Sequence, residues 1–123
     1  MATNKLGYSR AYALRRSLTP QWRFSLLKSN AKRRNISLEM TINEFIYWFG
    51  KQRLNCYYCG ISLITHGNHS IACLTIDRRD NKLGYKVANI VLTCQRCNMM
   101  KGSWLTEKEM VEIAEKYLTP KEM

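Results

Sequence analysis

The chain has 123 residues, 46% of them hydrophobic, enough for one core that hides on the order of two-thirds of the unfolded surface. Its 20 Lys and Arg against 9 Asp and Glu give a net charge of +11 and a pI near 9.7, which favours a phosphate-backbone partner whose counterions are released on binding. No run approaches the ~18 apolar residues of a membrane span, and the first ten residues hold no apolar signal region, so a membrane partner and export are not expected. The expected setting is cytoplasmic, where five cysteines stay reduced and serve as metal ligands, not as a disulfide framework.

The charge is uneven: residues 1–55 carry +9, residues 56–104 carry +4 and residues 105–123 carry −2. Residues 1–18 read as a basic arm with Arg10, Arg15 and Arg16. A basic helical region follows over residues 19–55. Thr19-Pro20 predicts a helix start, with the hydroxyl as N-cap and proline at the first helical position; Trp22, Leu26 and Leu27 then repeat on an inward face. The opposite face would show Arg23, Lys28, Lys32, Arg33 and Arg34 to DNA. Residues 36–40 predict a short extended link. Thr41 with Glu44 forms a capping box, and Ile42, Phe45, Ile46, Trp48 and Phe49 predict a buried helix to Gly50.

Two Cys-x-x-Cys pairs, Cys56/Cys59 and Cys94/Cys97, bracket the middle of the chain. Paired two-residue spacing presents four thiolates to one tetrahedral zinc ion, with Gly60 permitting the tight turn of the first knuckle. Cys73 is the odd cysteine and reads as a core thiol. Residues 61–73 predict a polar loop holding His66 and His69. Leu74-Thr-Ile and Ile90-Val-Leu-Thr are β-branched runs that predict a hairpin joined by a loop containing Gly84. Cys97-Asn-Met-Met-Lys101 predicts a short helix ended by Gly102. Thr106 with Glu109 opens a C-terminal helix over residues 105–123, with Met110, Ile113, Ala114 and Tyr117 inward and Pro120 as its stop.

The order of these parts resembles the HNH endonuclease superfamily, in the small phage-type form with Asp-Arg in place of Asp-His. The resemblance rests on Cys56-Tyr-Tyr-Cys59-Gly60, Ile76-Asp77-Arg78-Arg79-Asp80-Asn81 through Gly84-Tyr85, Asn89 through Cys94, and Cys97-Asn98-Met-Met-Lys101. It covers about residues 20–104 and includes the stretch 27–36. The fold it implies is α+β: a zinc-stabilised ββα-metal, treble-clef-like core at 56–104, with N-terminal helices and a C-terminal helix, as one folded domain. The activity it implies is metal-dependent hydrolysis of phosphodiester bonds in DNA, double-stranded by expectation. Asp77 and Asn98 then take the place of ligands to a catalytic Mg²⁺ or Mn²⁺. Asn89 takes the place of the loop-tying asparagine, and Arg79 and Lys101 join the basic helix as phosphate contacts.

One position departs from the family pattern. Where most members carry a His general base, this chain has Arg78, whose guanidinium stays charged and cannot accept a proton. His66 or His69 could replace it, with His69 the named candidate, as could Asp80 or Tyr85. The preferred reading is that water ionises at the cation without a side-chain base while Arg78 holds the phosphate. The alternative function is a zinc-containing nucleic-acid-binding protein that has lost its base, and a zinc-braced protein-interaction domain is a third reading.

Overall fold

In the computed structural model, which describes residues 19–65 and 70–118, the first helix, α1, runs Pro20–Arg33. Thr19 is extended and its Oγ1 accepts from the Trp22 N–H at 3.2 Å, satisfying one of the open donors of the first turn. At the other end Asn35 takes a left-handed φ of 56°. Ile36 N–H reaches Ala31 O at 2.8 Å and Asn35 N–H reaches Lys32 O at 3.2 Å, which closes a Schellman motif. The buried face is Phe24, Leu27 and Ala31, which corrects the expected Trp22/Leu26 face, since Leu26 is 45% exposed. The Phe24 ring decides the rotation by packing on Phe45 with centroids 5.5 Å apart.

Helix α2, Ile42–Gly50, begins with the complete capping box: Thr41 N–H donates to Glu44 Oε1 at 2.8 Å and Glu44 N–H to Thr41 Oγ1 at 3.2 Å. Phe45 is fully buried, but Ile42 lies exposed and Ile46, Trp48 and Phe49 are half-buried. So short a helix turns one residue squarely inward, and Phe45 holds that place among Phe24, Trp48 and Phe49.

Strands β1 (Leu74–Arg78) and β2 (Ile90–Cys94) form the antiparallel hairpin, with Leu74 opposite Cys94 and Arg78 opposite Ile90. A 3-10 turn, Val87–Asn89, leads into β2. Helix α3 (Gln95–Lys101) follows β2 directly, and α4 (Glu107–Ile113) starts from a second complete capping box at Thr106. The chain then widens into a π turn, Ala114–Leu118. Met110 and Ala114 are buried as expected, but the wider turn rotates Tyr117 outward to 70% exposure. The segment expected as a polar loop is partly structured, with Leu63 and Ala72 buried and Ile64 paired with Cys73. His66, His69, the arm 1–18 and Pro120 lie outside the described residues. Among the described residues no helix is long and apolar enough to cross a membrane.

Two apolar clusters share the hairpin. One surrounds the cysteines with Tyr58, Leu63, Leu74, Leu92, Leu105 and Met110. The other joins Phe24, Leu27, Ala31 and Phe45 to Tyr85 and Ile90. The link after α1 is stitched to the hairpin loop, since Tyr85 N–H donates to Ser37 O at 2.8 Å and Glu39 N–H to Tyr85 O at 2.7 Å. This close approach requires a residue without a side chain at position 84. A Cβ on Gly84 would lie 2.0 Å from Ser37 Oγ and 2.6 Å from the Ser37 carbonyl oxygen. The hydroxyl can turn away, whereas the carbonyl can only yield by backbone movement. Gly84→Ala should therefore cost about 1–3 kcal/mol, in the range of other overpacked sites, read as a lower urea midpoint with an unchanged slope.

Candidate functional site

The first knuckle is built by local backbone bonds: Gly60 N–H donates to Cys56 O at 2.9 Å, with Gly60 at φ 79°. The second knuckle is also the start of α3, because Cys94 is its N-cap and Cys94 Sγ accepts from the Cys97 N–H at 3.4 Å. All four cysteines are buried, and their sulfurs lie within 4.8 Å of one another. The Cys59 and Cys94 sulfurs are 3.8 Å apart, close to the edge of a tetrahedron with Zn–S bonds of about 2.3 Å. Four thiols so near one another cannot all ionise unaided. The Cys97 hydrogen bond drives Cys56 down to about 4, while the same bond pushes Cys97 up and burial pushes Cys94 up. The donor set fits zinc, whose charge would relieve that conflict.

Asp77 sits near the end of β1 and is 6% exposed. Its Oδ2 accepts from the Tyr58 hydroxyl at 3.0 Å and faces Lys101 Nζ at 3.2 Å. Burial raises the Asp77 pKa, and Lys101 is the main influence opposing that rise. The Lys101 ammonium is itself fully buried, and its other donors go to Arg78 O at 2.8 Å and Asn81 Oδ1 at 2.9 Å. With three donors occupied it has none to offer a phosphate, so the contact anticipated for Lys101 does not fit its placement. Among the described residues both of these contacts to the Asp77 carboxylate fall on Oδ2.

Asp77, Asn98, Arg34, Arg78, Tyr85 and Asn81 line one cavity of about 270 Å³. Asn89 is buried behind it and ties the loop: its Nδ2 donates to Asp80 O and Gly84 O, both at 3.0 Å, and its Oδ1 accepts from Asp80 N–H at 2.9 Å. Arg78 also braces the loop, with Nη1 donating to Asn81 O at 2.9 Å and Leu83 O at 2.8 Å and its guanidinium over the Tyr85 ring. The Tyr85 hydroxyl accepts from Arg34 Nη1 at 3.3 Å. Asp80 lines a neighbouring cleft and not this cavity.

The basic residues divide. Arg23, Arg33 and Arg34 line a groove between α1 and β1 that meets the Asp77 cavity at Arg34 and Asn98. Arg23 is half-buried there, with Nη2 donating to Thr65 O. Lys28 and Lys32 are exposed outside that lining. Arg79 is held by Glu107, Nε to Oε2 at 2.5 Å and Nη2 to Oε1 at 3.1 Å.

No family model and no curated protein matches the chain. Among solved structures it is similar to the rare-cutting HNH restriction endonuclease PacI, at 31% sequence identity and a TM-score of 0.66, over 79% of this chain and 75% of that one. The chain belongs to the HNH endonuclease family. The hairpin followed by α3 is the ββα unit of the HNH fold, with the four-cysteine cluster beside it.

Sequence reasoning missed two polar residues of this HNH site, Tyr58 and Asn81. Tyr58 lies inside the first knuckle motif, where its spacing from the cysteines carries no signal. Asn81 stood only among the residues that carry the family resemblance, which did not show that it reaches Lys101 and, through Nδ2, the Leu105 carbonyl at 3.0 Å. Two outcomes are expected from this geometry. Removing the metal with a zinc chelator should abolish the near-ultraviolet dichroism and release one equivalent of zinc, since structural zinc is worth about 10–16 kcal/mol in small modules. Lys101→Met should destabilise by about 3–5 kcal/mol, because it strands a buried carboxylate. Adding Asp77→Asn should restore part of that loss in a denaturation double-mutant cycle.

Proposed function

We propose that this protein is a metal-dependent endonuclease that hydrolyses phosphodiester bonds in double-stranded DNA. The observation that carries the reading is the convergence of Asp77, Asn98, Arg34 and Arg78 on one cavity in a chain of the HNH family. A carboxylate and a carboxamide are hard oxygen donors suited to Mg²⁺ or Mn²⁺. Asp77, through Oδ1, and Asn98 would hold that cation. Bound there, the cation supplies Lewis-acid stabilisation of developing charge and makes a nearby water more acidic.

The remaining work falls to the chain's own residues. Lys101 and Tyr58 fix the Asp77 carboxylate from behind. Arg34 and Arg78 bring two guanidiniums to the cavity, where negative charge grows on the phosphate in the transition state. Arg78 acts in this reading as both loop brace and phosphate partner, and no side-chain base is assigned. The Arg23–Arg33–Arg34 groove leads a DNA backbone to the cavity, with exposed Lys28 and Lys32 adding to the field that attracts it. The resemblance of residues 27–36 to small phage-type members supports a phage or mobile-element origin and a place of action in the host cytoplasm.

Incubating supercoiled plasmid with a series of divalent cations tests the reading. The wild type should nick or linearise it with Mg²⁺ or Mn²⁺, and Asp77→Ala and Asn98→Ala should each lose at least ~100-fold in rate, as when a preorganised electrostatic contact to the transition state is removed. Equal cleavage by all three proteins would sink the site assignment. Salt-sensitive binding without cleavage in any metal would instead identify a nucleic-acid-binding protein that has lost its catalytic function.

A further inference from the structure

The turn that follows α3 presents a tryptophan to solvent beside the catalytic cavity. Trp104 is 75% exposed, so its ring contributes little to the core, and it lies along the backbone of its own turn. Gly102 has φ 53°, and a Cβ there would lie 3.0 Å from Trp104 Cδ1 and 3.1 Å from Nε1, so the ring rests against bare backbone. The turn is anchored at both ends. Gly102 N–H donates to Asn98 O at 3.0 Å and Leu105 N–H to Lys101 O at 3.1 Å, while Asn81 Nδ2 holds the Leu105 carbonyl at 3.0 Å.

Asn81 also receives Lys101 Nζ, which faces Asp77. The turn that carries the exposed ring is therefore tied to Asp77 through a chain of partly buried polar contacts. It borders an open cleft of about 670 Å³, and Asn81 and Ser103 form the wall shared by this cleft and the Asp77 cavity. Lys82 and Lys108 line the same cleft. Its acidic members are already engaged, with Asp80 Oδ1 accepting from the Lys82 N–H at 2.9 Å and Glu107 holding Arg79.

We propose that this cleft is a nucleobase-binding site, in which Trp104 stacks on one base of the DNA next to the cleaved bond and Lys82 and Lys108 meet the adjoining phosphate. An exposed aromatic face flanked by cations suits a base that is unstacked from the duplex beside the cut and attached to a phosphate, because every base so freed offers a π-face and the contact tolerates sequence. The inference rests on the proposed nuclease reading. It adds a site outside the cavity that holds Asp77 and Asn98.

The test uses the full chain and a duplex spanning a cut site mapped with the wild type. Trp104→Ala should slow cleavage by about 5- to 150-fold, the range that one stacked base supports. Trp104→Phe should retain most of the rate, and zinc content and melting temperature should be unchanged in both. Abasic substitutions placed one at a time around the cut bond supply a readout that a structural role would not move. At one position the missing base should slow the wild type by a similar factor and slow Trp104→Ala no further. Equal rates for wild type and Trp104→Ala, or losses that multiply at every position, would overturn the nucleobase site and leave the ring to a protein partner. A wild type that neither binds nor cuts DNA would overturn the nuclease reading, and this site with it.

Discussion

A lysine ammonium sealed from water is the constraint on which the rest of the site depends. Lys101 ends α3, and its three donors reach the Asp77 carboxylate on β1, the carbonyl of the next residue and the side chain of Asn81 in the hairpin loop. Removing an ammonium from water costs several kcal/mol, and that cost is offset only while all three partners stay in place. The charge therefore acts as a geometric lock on strand, loop and helix together. The cysteine cluster closes the same unit from the other side, since Cys94 ends β2 and caps α3. Under the proposed function, one element order would serve two metals of different kinds: soft sulfur ligands for a structural ion, and hard oxygen ligands a few residues away on the same strands and helix.

The parts of this arrangement that were legible in the sequence are those written in short-range chemistry. Thr19, Thr41 and Thr106 cap their helices because each hydroxyl accepts from the backbone amide three residues on. The knuckles are similarly local. Asn89 was readable through its family position, and its three backbone contacts are those of a loop-tying residue. What escaped were residues whose roles are decided by partners far along the chain. Lys101 looks like any cation near a helix end until Asp77, 24 positions earlier in the sequence, is brought against it. Tyr58 sits in a cysteine motif and hydrogen-bonds across to β1.

Facing errors have a related cause. Apolar periodicity placed Trp22, Leu26 and Leu27 on the inward face of α1, whereas Phe24 is buried instead of Leu26, packed on Phe45 of another helix. The same rotation divided the basic residues, carrying Arg23, Arg33 and Arg34 to the groove and leaving Lys28 and Lys32 outside its lining. A run of cations in a sequence therefore says how much charge a helix carries, but the packing partner decides where it points. Arg34 shows the consequence most clearly, because it meets the hydroxyl of Tyr85 while the guanidinium of Arg78 lies over that residue's ring.

Tyr85 also anchors the backbone: both of its main-chain groups are bonded to the link that follows α1, at Ser37 and Glu39. Only Asn35 and Ile36 separate that anchor from Arg34. So short a tether couples the basic helix closely to the hairpin, and the groove and cavity share the wall made by Arg34, Ile76, Tyr85 and Asn98. Under the proposed function, the bending or unstacking that brings a stiff duplex into contact with both surfaces would then fall largely to the duplex. Selectivity could then arise from how easily a given stretch of DNA deforms, even at base pairs that no side chain touches.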